Sequence, residues 1–108
     1  MFIEHVYLQI KPDQSTAFEQ AMQQAKGLVA GISGFHELQL LKHATQADRY
    51  ILMIVWERIE DHQHGFRQSA AYLEWKALLH HFYAPMPSVE YYQTRILLKH
   101  AKSETECH

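Results

Sequence analysis

The sequence predicts one α+β domain with the element order β-α-β-β-α-β, the ferredoxin-like arrangement. Three observations predict it. Four segments have strand length and strand patterning, two longer segments carry apolar residues at helical spacing, and the two kinds interleave in that order over residues 1–98. A chain of 108 residues has room for a single domain. At this size about two-thirds of the unfolded surface can be buried, so the core needs no metal or disulfide.

Residues 2–10 alternate as a first strand, with Val6, Leu8 and Ile10 on one face and Ile3, His5, Tyr7 and Gln9 on the other. Lys11-Pro12-Asp13 ends that strand and opens a helix, with Asp13 as its cap, or Thr16 with Glu19 as a capping box. Phe18, Ala21, Met22, Ala25, Leu28, Val29 and Ile32 form one apolar stripe along the helix, and Gly31 and Gly34 offer the turn that follows. Residues 35–42 and 49–57 read as a hairpin pair joined by the polar link 43–48. The second of these is almost continuously apolar, which marks a central strand covered on both faces. Residues 61–82 read as a helix, with a break at Gly65, carrying Tyr72, Trp75, Leu79 and Phe82 on one side. Pro85 and Pro87 forbid its continuation, residues 89–98 form a fourth strand, and residues 99–108 are a polar tail with no reason to fold.

Right-handed crossovers place both helices on one face of a four-stranded antiparallel sheet. The other face is then bare, and a continuously apolar third strand there would show water a large patch. A second copy packed sheet to sheet is the simplest cover, so a homodimer is expected.

Ten Lys and Arg against twelve Asp and Glu, with no basic stripe, argue against a nucleic-acid binder. No apolar run approaches the roughly 18 residues that cross a bilayer, and the N-terminal stretch lacks the pattern of an export signal. The single cysteine, Cys107, can form no internal disulfide. These features point to a cytoplasmic protein. Nine histidines are unusual, but they match no metal pattern. His62 and His64 are two apart and face different ways on a helix, and there is no Cx2C or HExxH spacing, so no metal is expected.

The run Trp56-Glu57, His62, Gly65-Phe66-Arg67, Ser69, Tyr72 and Trp75 continues into Leu78-Leu79-His80-His81-Phe82-Tyr83 and Pro85-x-Pro87-x-Val89-Glu90. With the layout above, it resembles the antibiotic biosynthesis monooxygenase family of dimeric α/β-barrel proteins, over roughly residues 2–95. The start Glu4-His5-Val6 is similar to the related stress-responsive α/β-barrel proteins. The resemblance implies a dimeric α/β barrel and a small-molecule monooxygenase that oxidises an aromatic or quinol-like substrate with O2 and no cofactor. A non-catalytic ligand-binding or stress-related dimer is the alternative, and haem degradation the third. The haem-degrading branch uses an Asn on the first strand and a His late in the second helix. This sequence departs from it, with Tyr7 at the strand position and the helix position falling near residues 72–75.

In such a fold the pocket is expected between helices and sheet. Oxygenation without a cofactor needs a base to deprotonate an electron-rich phenol, and a dry aromatic cavity to hold its ring. His5 and His80 are the candidate bases, since imidazole titrates near neutral pH. Tyr7, Trp56, Arg67, Tyr72, Trp75 and Leu79 are the candidate substrate-binding residues. Each has a plainer alternative. His5 suits a half-buried strand position and the two Trp an ordinary core. Arg67 suits an ion pair with Glu57, Glu60 or Glu90, and Ser69 suits a helix cap.

Overall fold

The computed structural model describes residues 1–100. The elements are β1 (Phe2–Gln9), α1 (Ser15–Ala30), β2 (Phe35–Lys42), β3 (Arg49–Trp56), a π-helical turn (Asp61–Phe66), α2 (Ala70–Leu79), a short 3-10 turn (His80–Phe82) and β4 (Val89–Tyr92). The four strands form one antiparallel sheet in the order β2-β3-β1-β4, so β3 and β1 are central.

The alternation in the central strands sets the two faces. Val6, Leu8 and Ile10 on the β1 side and Tyr50, Leu52, Ile54 and Trp56 on β3 are buried. They meet the apolar stripe of α1, where Phe18, Met22, Ala25 and Val29 are buried, and Trp75 and Leu79 of α2. The opposite face carries His5 and Tyr7 of β1, Ile51, Met53 and Val55 of β3, and Leu41 of β2. No helix covers that side, so β3 is only half-buried there.

The structure corrects three expectations and refines a fourth. First, the sheet is open, not a closed α/β barrel: β2 and β4 are its two edges and do not pair with each other. Second, β4 ends at Tyr92 rather than Leu98, because Tyr92 already pairs with Ile3 and an antiparallel strand going further runs off the start of β1. Third, neither Asp13 nor Thr16 caps α1. Gln14 occupies the cap position without a side-chain hydrogen bond, Asp13 turns through φ 63°, and Glu19 bonds the Tyr50 hydroxyl instead. Fourth, the second helical segment is broken near Gly65 as expected, and Ser69 caps its second half; the addition is that the first part is a π-turn and the end a 3-10 turn. The π-turn ends at Phe66, and α2 starts afresh behind Ser69, whose hydroxyl oxygen accepts from the Tyr72 amide at 3.2 Å.

Only Gly34 of the two turn glycines uses a positive φ, at 90°. Among the described residues no helix is long and apolar enough to cross a membrane. Most of the expected tail, including Cys107, lies outside the described residues.

Candidate functional site

Glu4 sits on the alternation of Val6, Leu8 and Ile10, so its side chain points under the helices and is only 4% exposed. Two groups hold it there. The indole Nε1 of Trp56 donates to Glu4 Oε1 at 2.9 Å, and His62 Nε2 lies 3.3 Å from Oε2. The π-turn places His62: its wide turn buries Asp61, His62 and Phe66 and leaves His64 outside. The other imidazole nitrogen, Nδ1, hydrogen-bonds the hydroxyl of Tyr91, which stands directly across from Glu4 in the β1–β4 register.

Burial dominates the protonation of this pair. It pushes the Glu4 carboxyl up to about 7, against the hydrogen bond from Trp56 and the positive charge of Arg67, which pull it down. Burial pulls His62 down to about 4, with Arg67 pushing the same way. His62 is therefore a neutral ring at neutral pH, one nitrogen donating and the other accepting. Glu4 changes charge there, which makes it the group at this site suited to take and return a proton.

The pair forms the floor of a cleft of about 130 Å³. It is lined by Phe66, Arg67, Tyr72, Trp75, His80 and Tyr83, with Met86 and Pro87 from the segment that follows. The aromatic rings brace one another edge-on: Phe66 lies 5.3 Å from Tyr72 and 5.4 Å from Trp75 between ring centroids. The ring of His80 stands 5.5 Å from that of Tyr83. His80 is held below its ordinary range by burial first, then by the charges of Lys76 and Arg67. Burial raises the Tyr83 phenol.

Four of the residues singled out from sequence, Arg67, Tyr72, Trp75 and His80, line this cleft. Four do not. His5 and Tyr7 occupy the opposite face of β1, where their rings pack together at 4.8 Å and Tyr7 is 63% exposed. Strand parity allows nothing else, because Glu4 and Val6 take the inward positions. His5 is thus no base for this cleft, and Tyr7 orients nothing in it. Trp56 and Leu79 are fully buried core residues, and Trp56 supports the site from behind, through its hydrogen bond to Glu4 and its ring packing against His62 and Phe66. Arg67 makes none of the ion pairs open to it from sequence and rests over the Tyr72 ring, 5.9 Å from its centroid.

Glu4, His62, Tyr83 and Tyr91 are the site residues that sequence reasoning missed. A carboxylate in phase with the apolar face of a strand was the available signal for Glu4, since such a group is buried only with a partner or a purpose. No group of three or more His, Cys, Asp or Glu residues placed to hold a metal occurs among the described residues.

Comparison with known proteins bears on what this cleft does. A family model described as Antibiotic biosynthesis monooxygenase matches residues 1–78. The uncharacterized protein YczJ of Bacillus subtilis is 43% identical over 93 residues, which span 86% of this chain and 98% of that one. A Bordetella bronchiseptica protein provisionally named an antibiotic biosynthesis monooxygenase superposes with a TM-score of 0.82 at 29% identity, covering 88% of this chain and 98% of the other. SnoaB from Streptomyces nogalater, a cofactor-independent oxygenase, superposes with a TM-score of 0.72 over 92% of this chain and 95% of its own. Its 16% identity makes that likeness one of fold.

Proposed function

The chain belongs to the antibiotic biosynthesis monooxygenase family, and on that footing we propose that it oxidises an aromatic or quinol-like small molecule with O2, using Glu4 as the proton acceptor. One observation carries the assignment of the base. A buried carboxylate, held by Trp56 and His62, forms the floor of a cleft walled by Phe66, Tyr72 and Trp75.

The chemistry this supports is simple to balance. Glu4 takes the hydroxyl proton of a bound phenol, and the phenolate passes one electron to O2. The phenoxyl radical and superoxide then join at a ring carbon that shares its spin, and the peroxide receives the proton back. Loss of the proton on that carbon, with cleavage of the O–O bond, yields a quinone and one water. One oxygen atom enters the substrate and the other leaves as water, with no net proton released. The rings of the cleft shield the radical pair from solvent, and His62 steadies the carboxylate between proton transfers.

A second copy of the chain is proposed to cover the open face of the sheet, where Ile51, Met53 and Val55 lie beside Tyr7 and Leu41. A patch of this kind on a central strand is costly to leave in water.

Oxygen uptake tests the reading. Protein stripped of metal and flavin is given hydroxyarenes of one to three rings, anthrone in its enol form among them. Uptake above the buffer rate that falls at least about a hundredfold in Glu4→Gln is expected, the scale of general-base catalysis. No uptake with any of them, or undiminished uptake in Glu4→Gln, would overturn it.

A further inference from the structure

The charge and size of the cleft narrow its ligand further. Arg67, which lines the cleft, and Lys76, one helical turn beyond Tyr72, both stand over the Tyr72 ring, 5.9 Å and 5.7 Å from its centroid. Both are exposed, and neither has a carboxylate within ion-pair distance among the described residues. The one carboxyl inside the cleft, Glu4, is already engaged by Trp56 and His62. Burial raises that carboxyl well above its ordinary range, so it carries less than a full negative charge at neutral pH. The two cations act on the cleft wall, since both hold His80 below its ordinary range after the larger effect of burial. Two such cations, one lining the cleft and one beside its Tyr72 wall, draw anions.

Size adds a second limit. An apolar cavity of about 150 Å³ encloses one benzene ring. At about 130 Å³ this cleft, open on one side, seats a single ring between its aromatic walls.

We propose that the ligand is a single-ring hydroxyarene carrying an anionic substituent such as a carboxylate. Its ring lies against Phe66, Tyr72 and Trp75, its hydroxyl points to Glu4, and its anion sits with Arg67 and Lys76. The hydroxyl and its direction rest on the oxygenase reading above, whereas the anion and the ring count rest on the cleft alone.

The test is binding by the full chain, followed through quenching of tryptophan fluorescence, to which Trp75 in the cleft wall contributes. The probes are para-hydroxybenzoate, its neutral counterpart para-hydroxybenzamide, and a hydroxyanthracene carboxylate. The benzoate is expected to bind at least about tenfold tighter than the amide, the worth of one charge-assisted hydrogen bond. That preference should vanish in Arg67→Gln, shrink in Lys76→Gln, return in part in Arg67→Lys and weaken with added salt. The three-ring carboxylate should bind more weakly than the benzoate. Equal affinity for benzoate and amide, a preference that survives Arg67→Gln, or tightest binding by the three-ring probe would each overturn the proposal. Turnover separates the two readings. Anion-selective binding without O2 uptake refutes the oxygenase assignment and leaves this ligand class standing. Uptake on neutral hydroxyarenes without anion selectivity does the reverse.

Discussion

Glu4 and His62 shift in opposite directions on folding, and the consequence is a stability profile that can be dissected by mutation. The carboxyl moves from 4.5 up to about 7, so the folded protein keeps a proton that the unfolded chain releases. The stability that goes with it is complete below pH 4.5 and is lost as pH rises through about 7. The imidazole moves from 6.5 down to about 4, so its contribution is complete above pH 6.5 and is lost as pH falls through about 4. Each shift spans about two and a half pH units, which at ~1.4 kcal/mol per unit is on the order of 3 kcal/mol. Between pH 4.5 and 6.5 the two slopes cancel, because folded and unfolded chains each carry one proton on the pair.

Glu4→Gln keeps the shape and the Trp56 hydrogen bond but cannot titrate. That variant should gain stability from about pH 4 to 6.5 with a slope approaching 1.4 kcal/mol per unit, the contribution of His62 alone. His62→Phe preserves ring packing against Trp56 and should show the opposite slope, losing stability as pH rises from 4.5 to about 7. His80, also held low, adds a shallower rise common to all three proteins, so the divergence between variants is the informative quantity. Urea unfolding at closely spaced pH values measures it. Parallel profiles for wild type, Glu4→Gln and His62→Phe would refute the coupling of this pair to the fold.

Other substitutions test other parts of the molecule. Gly34→Ala places a Cβ 2.1 Å from Asp61 Oδ2 at a backbone φ of 90°, displacing the carboxylate that accepts from the Arg58 amide at 2.9 Å. A loss of about 2–4 kcal/mol is expected, read as a lowered unfolding temperature. Trp56→Phe removes both buried volume and the donor to Glu4, and should cost about 1–3 kcal/mol. It should also move the acidic limb of the activity profile to higher pH, because that hydrogen bond favours the ionised carboxylate. Met53→Glu sets a charge in the middle of the open sheet face and is expected to convert a dimer to monomer in sedimentation, with the pH behaviour of the cleft retained.

How far pattern alone reaches in this chain follows from what each residue answers to. The apolar stripe from Phe18 to Val29 and the phase of Val6, Leu8 and Ile10 depend only on helix and strand periodicity, and both are buried as that periodicity requires. The length of β4 depends on its neighbour: past the Ile3–Tyr92 pair β1 has only Phe2 left, too little to pair with residues 93–98. Closure into a barrel likewise depends on the partner of each edge strand, which hydrophobic pattern does not specify. In the site, Tyr72 and Trp75 come from α2, while Arg67 precedes it and His80 opens the 3-10 turn after it, and the four meet at one cleft. His5 attracted attention by its chemistry while its parity placed it outside. Glu4 is an ordinary acid in composition and acquires its role only through burial beside Trp56 and His62, partners 52 residues away in one case.

The central claim is that Glu4 takes the substrate proton, and the pH dependence of kcat/KM tests it most directly. Wild-type protein should gain activity through an ionisation near pH 7 as the carboxyl loses its proton, and Glu4→Gln should lose both the activity and that inflection. A profile that keeps the same inflection and rate in Glu4→Gln would contradict it.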